Sequence, residues 1–162
     1  MINEEVNVNS IKRPQLVVDR NKCRENIRRM ANKAKKHGVT FRPHFKTHQS
    51  AEIGEMFRQE GVECITVSSV QMAEYFADHG WSDITIAFPV NLREIDEINS
   101  LTKRVALHLL VESVESVRFL NDHLEKEVDV YLKIDTGYHR TGIDYRDTGK
   151  LTEVLEAIAA AQ

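Results

Sequence analysis

The sequence predicts an α/β fold, a partial (β/α)8 TIM-type barrel of about five β/α units, the number its strand pattern yields. Three observations carry that prediction. The hydrophobic period switches between strand-like and helix-like stretches, at spacings of roughly 20 to 25 residues. Each strand has one apolar face and one polar-rich face, whereas a parallel sheet covered on both sides reads as unbroken apolar runs. Glycines such as Gly38, Gly61 and Gly80 stand where the helical patterns stop.

Taken in order, residues 15–19 (QLVVD) read as a short lead-in strand. Residues 21–37 form a helix, with Ile27, Met30, Ala31 and Ala34 at helical spacing. The repeating units then begin at Val39, Val62, Asp83, Val105 and Val128. Their strands are expected at 39–45, 62–68, 83–88, 105–111 and 128–134. The intervening helices are expected at 49–59, 71–79 and 92–103, then after Ser113, which can cap the next one. A helix over 147–160 closes the chain. The apolar faces carry Val39, Phe41 and Phe45; Ile65 and Val67; Ile84, Ile86 and Phe88; Leu107, Leu109 and Val111; and Val130, Leu132 and Ile134. The opposite faces carry Arg42, His44 and Lys46; Cys64 and Thr66; Asp83 and Thr85; His108 and Glu112; and Lys133 and Asp135. A barrel with a polar interior fits this alternation.

A full barrel needs eight units and about 250 residues. The expectation is that residues 1–162 are the N-terminal part of a barrel whose remaining strands lie beyond this sequence. Expressed alone, the span is expected to be inactive.

Composition excludes several classes. The chain is 41% hydrophobic and 29% charged with a net charge of −3, which argues against a general nucleic-acid or anionic-membrane role. Lys33, Lys35 and Lys36 read as a solvated helix face. No apolar run approaches the ~20 residues of a membrane span. The start, MINEEVNVNS, is acidic and polar, unlike a secretory signal. Cys23 and Cys64 lie far apart, consistent with reduced thiols in a cytoplasm.

The stretch RPHFKTH, residues 42–48, is the most informative. Arg42, His44 and Lys46 alternate and so share a strand face. Basic groups this close repel unless something anionic sits among them. Lys46 falls at the C-terminal end of its strand, where barrel sites lie, pointing inward. Held among cations and away from water, its neutral form is favoured. A neutral amine is a nucleophile toward an aldehyde. A phosphorylated aldehyde cofactor would also supply the negative charge, although this does not single out one cofactor. The plainer alternatives are a structural lysine at a strand end and an ion pair for Arg42 inside the barrel. His44 and His48 are four residues apart, which on a strand spans ~13 Å, too far for one metal ion. His108 reads as an interior polar group with a satisfied hydrogen bond, and Cys64 as core.

RPHFKTHQS, following PQLVVDRNKCRENIRRM, resembles the D-threonine aldolase and D-serine dehydratase family. That family shares the alanine racemase N-terminal barrel, fold type III of the pyridoxal-phosphate enzymes. A second stretch, LKIDTGYHRTGI at residues 132–143, resembles the fifth-strand motif K-x-D-x-G-x-x-R-x-G of the alanine racemases and their relatives. The resemblance implies that Lys46 carries pyridoxal 5'-phosphate as a Schiff base and is the catalytic residue. It implies that Arg140 lies near the cofactor's phenolic oxygen, with Lys133, Gly137 and Gly142 in the same motif. Arg42, His44 and Tyr138 complete the expected cofactor-binding set; His44 would pack beside the ring or bond Lys46. Tyr138 and His139 would touch substrate or shape the turn, and Asp135 would hold the Arg140 loop.

The function so implied is a pyridoxal-phosphate-dependent lyase acting on D-amino acids. Its alternatives are an amino-acid racemase and a non-catalytic pyridoxal-phosphate carrier, and a different class altogether is an interaction fragment with no site. No metal site is expected within these residues. A divalent metal, where used, would be bound by a His-x-Cys pair in a C-terminal β-domain outside this sequence. The partners implied are a small D-amino acid and a second copy of the chain in a homodimer, with neither nucleic acid nor membrane.

Overall fold

A computed structural model describes residues 7–161. Four parallel strands form the central sheet: β1 (Ile65–Val67), β2 (Asp83–Pro89), β3 (Ala106–Val111) and β4 (Asp129–Leu132). They lie side by side in chain order, with Ile65 opposite Ile84, Ile84 opposite Leu107 and Leu109 opposite Val130. A short parallel pair follows, β5 (Ile134–Asp135) with β6 (Ile143–Asp144). The helices are α1 (Arg20–Lys36), α2 (Ala51–Gln59), α3 (Val70–Asp78), α4 (Ile95–Thr102), α5 (Val114–His123) and α6 (Thr148–Ala160). Sequential parallel order is the wall of a barrel; a doubly wound sheet reverses its order at a switch point. The described residues make part of such a wall and do not close it.

The helices begin where the sequence signals they should. Ser50, Ser69 and Ser113 cap α2, α3 and α5, each side chain accepting from the backbone N–H of the residue three positions on. Gly61 and Gly80, with φ of 80° and 82°, turn the chain after α2 and α3 in a conformation that costs other residues energy. The core lies between the helices and the apolar strand faces. Ile65, Val67, Ile84, Leu107, Leu109 and Val111 are buried there against Phe76 of α3, Leu101 of α4, Val117 of α5 and Val154 of α6.

Four sequence expectations need correction. Residues 15–19 are not a strand: Leu16 is 95% exposed, and among the described residues no strand pairs with the segment. Apolar residues alone do not make a strand without a neighbouring ladder. Residues 39–45 are not a regular strand either. They touch β1 through one bridge, His44 opposite Thr66, and through the Thr66 N–H donating to the Pro43 carbonyl at 2.8 Å. Pro43 has no N–H to give, so the ladder does not run through it. In β2 the register slips between Thr85 and Pro89, which breaks the alternation and leaves Phe88 53% exposed. The strand expected over 128–134 is interrupted at Lys133, between β4 and β5.

Candidate active site

The site is built on the short turn that follows Pro43. Phe45–Thr47 is one turn of 3-10 helix. Phe45 is fully buried, its ring meeting Phe57, Phe76 and Trp81 at centroid distances of 5.1, 4.9 and 5.1 Å. His48 at the other end of the turn lies 4.5 Å from the Phe45 ring and stacks on Phe57 at 5.7 Å. Apolar packing thus fixes both sides of Lys46.

Lys46 itself is exposed, and among the described residues no carboxylate pairs with it. This corrects the expectation that it sits on a strand and away from water. The turn projects it from the wall because Phe45, not Lys46, enters the core. His44 caps the turn, its Nδ1 accepting from the Lys46 backbone N–H at 3.4 Å. Burial, and then the Lys46 ammonium, push the His44 imidazole below its ordinary range. Burial does the same to His48, whose Nε2 is buried without a hydrogen-bond partner among the described residues. Both rings are thereby held neutral near pH 7. His44 and Lys46 are brought together as expected, and the two histidines face different surroundings.

Arg42 has an anion of its own. Its guanidinium grips Asp83, Nη1 to Oδ1 at 2.5 Å and Nη2 to Oδ2 at 3.2 Å. Burial opposes ionisation of Asp83, but the guanidinium and then His108 outweigh it and hold the carboxyl below its usual range. His108 meets the same Oδ1 through Nε2 at 3.0 Å. Its Nδ1 lies 3.3 Å from an Asp129 oxygen, near enough for charge attraction but not aligned as a hydrogen bond. Asp83 was missed as a partner, although it falls on the same polar-rich face as Arg42. His108 does find the hydrogen bond expected of it.

The second motif forms a loop after β5. Asp135 Oδ1 accepts from the backbone N–H groups of Gly137, Tyr138 and His139 at 2.9, 2.9 and 3.1 Å, as expected for the residue that holds this loop. Those bonds, Gly137 first, keep its carboxyl below the ordinary range. Glu112, which the sequence did not single out, accepts from the Gly142 N–H at 2.6 Å and ties the loop to the end of β3. Gly142 has φ of 100°, and a Cβ there would lie 2.9 Å from the Asp135 nitrogen. Tyr138 and Arg140 are exposed, with the guanidinium carbon 5.2 Å from the Tyr138 ring centre. Among the described residues no carboxylate pairs with Arg140, and no hydrogen bond joins its loop to Lys46.

Lys46 beside β1 and Arg140 on the loop between β5 and β6 are two cations that no carboxylate pairs among the described residues, and together they offer groups for a carbonyl and for anionic oxygens. Lys46 offers an amine unencumbered by an ion pair, and Arg140 a guanidinium in the same condition. Arg42 does not, being committed to Asp83. Among the described residues no group of three or more His, Cys, Asp or Glu is placed to hold a metal ion, and no helix is long and apolar enough to cross a membrane.

A family model described as alanine racemase, N-terminal domain, matches residues 18–162. The D-threo-3-hydroxyaspartate dehydratase of Delftia sp. (strain HT23) is 31% identical over 145 residues, covering 87% of this chain and 38% of that protein. The D-serine dehydratase of Dictyostelium discoideum is 28% identical over 163 residues, covering 91% of this chain and 41% of that one. Among solved structures, the D-threonine aldolase from Filomicrobium marinum superposes with a TM-score of 0.85 at 25% identity, over 92% of this chain and 41% of its own. The chain thus spans about two fifths of the length of these relatives.

Proposed function

Because the chain belongs to the alanine racemase N-terminal domain family, we propose that it is the cofactor-carrying part of a pyridoxal-phosphate-dependent lyase acting on D-amino acids, of the D-threonine aldolase or D-serine dehydratase type. The observation that carries this reading is Lys46: an exposed amine without a carboxylate partner among the described residues, on a turn clamped by buried aromatic rings. When bound, pyridoxal phosphate supplies an electron sink for a bond broken at the amino acid's Cα. Lys46 Nζ would be the point of covalent attachment and, as a free amine, would serve as the base that takes a proton from substrate. Neutral His44 beside it adds no second positive charge at pH 7. Arg140 would hold an anionic oxygen of the cofactor, and the Asp135 and Glu112 bonds keep its loop in place. Tyr138 lends Arg140 a ring face and bounds the substrate space.

The same reading includes a homodimer, a divalent metal held by sequence outside this chain, and a cytoplasmic location. The last is supported by two cysteines, Cys23 and Cys64, that form no disulfide. Light scattering and metal analysis of the complete protein test the first two. The central test is spectroscopic. Pyridoxal phosphate added to the complete protein should produce a visible absorbance band, which Lys46→Ala should abolish. A band that survives Lys46→Ala contradicts the reading.

A further inference from the structure

We propose that Asp83 and His108 are positioning residues for Lys46, acting through Arg42; the inference rests on the reading of Lys46 as the cofactor's attachment point. The segment that carries Lys46 has no ladder to hold it. On its buried side Phe45 anchors it in the aromatic cluster. On its other side it meets the wall through the His44–Thr66 bridge, the Pro43 carbonyl and the Arg42 side chain. Arg42 reaches past β1, donating to the Ile65 carbonyl at 3.4 Å on the way to Asp83 of β2. His108 of β3 then bonds Asp83, and Asp129 of β4 stands beside His108. The registers place His108 opposite Asp129, while Asp83 lies opposite Ala106, two residues before His108, and its side chain reaches the imidazole diagonally across the pair. One polar row therefore crosses the wall from the Lys46 segment to β4.

This row sits low on the wall. Asp83 and Asp129 are the first residues of β2 and β4, at the end opposite to where barrel sites lie. Neither Asp83 nor His108 is placed to touch a cofactor at Lys46. Interior layers of barrels are ordinarily filled by branched apolar side chains. The pairs of this row are partly open to water, with the Asp83 side chain 36% and the Asp129 side chain 83% exposed, and such ion pairs contribute little net stability, so stability alone is a weak reason for the row. Directional pairing supplies a better one. A forked guanidinium–carboxylate contact fixes orientation as well as distance. Arg42 and His108 converge on the same Asp83 oxygen, Oδ1, so the carboxylate is held from two sides. Between Arg42 and Lys46 stand Pro43, with its fixed φ, His44, which caps the turn, and Phe45, which is buried. The orientation imposed on Arg42 is passed along this stiff stretch to Lys46.

The test uses the complete protein freed of cofactor and measures the rate at which pyridoxal phosphate attaches, read as growth of the visible band. Asp83→Asn keeps the side chain's shape and removes its charge. Attachment should slow by about tenfold, a part of the roughly 100-fold that misplacing a reacting group by 1 Å can cost. Asp83→Glu, which keeps the charge, should recover most of the rate. His108→Asn releases one side of the carboxylate and should slow attachment by about threefold, a smaller loss of the same kind. Wild-type rates in folded Asp83→Asn and His108→Asn, with only the melting temperature lowered, would overturn the proposal. If Asp83→Asn does not fold, His108→Asn decides alone, a slowed rate supporting the proposal and an unchanged one overturning it. Lys46→Ala separates the two claims. Loss of its band alongside unchanged rates in the other variants overturns only the positioning role, whereas a surviving band overturns the reading on which that role rests.

Discussion

His48 shows how one residue links packing to pH. Its ring stacks on Phe57 and its Nε2 is buried without a partner among the described residues, so burial depresses its pKa below the ordinary 6.5 or so. His44 is depressed as well, by burial and then by Lys46. A depressed folded-state pKa means that the unfolded chain binds protons first as pH falls. The stabilisation is therefore fully present above about pH 6.5 and is lost as pH drops through the folded values. Urea midpoints of the complete protein should be flat above that pH and fall below it, and His48→Gln should weaken the dependence. An unchanged slope in that variant would show that His48 is not the source. At Gly142 the constraint is steric. A Cβ would press on the Asp135 nitrogen at 2.9 Å in a backbone at φ of 100°. Gly142→Ala should cost about 1–3 kcal/mol and weaken cofactor binding by moving the Arg140 loop; a variant with wild-type stability and affinity would contradict that placement. The importance of Gly142 and Asp135 was legible, since both belong to the quoted motif. An ion pair for Arg42 was among the readings of the sequence, but Asp83 as its partner was not legible, because the two are 41 residues apart and no local pattern links them. Only their shared face parity hinted at it.

At the scale of elements, the helices were the most legible part of the chain. Serine caps and glycine stops are local signals, and local signals survive folding. The strands were legible as faces but not as ladders. Ile65, Val67, Ile84, Leu107 and Leu109 are buried as their parity requires. Where a strand depends on a partner's donor or on an unbroken register, parity is silent, and it failed at Pro43 and at Phe88. The turn that bears Lys46 is the case that matters for function, since its shape comes from Phe45 entering the aromatic cluster. Phe45→Ala should cost about 3–5 kcal/mol, as for other fully buried phenylalanines. It should also reduce cofactor attachment more than a remote core truncation of equal cost, such as one at Leu101. Equal attachment in the two variants at matched stability would show that the Phe45 anchor does not hold the turn.

At the scale of the molecule, the described wall has open sides. β4 pairs with β3 alone among the described residues, and Tyr131 and Ile134 near that side are 50% and 46% exposed. Unpaired strand edges invite association. Residues 1–162 expressed by themselves should self-associate and hold pyridoxal phosphate weakly, because water has free access to Lys46. A monodisperse monomer by light scattering that turns over D-threonine or D-serine would contradict this. The central claim is that Lys46 carries the cofactor. Its most direct measurement is borohydride reduction of the complete protein loaded with pyridoxal phosphate, followed by peptide mass mapping. The account predicts a single reduced pyridoxyl label on the peptide containing Lys46. A label on Lys133, or no label on either lysine, would contradict it.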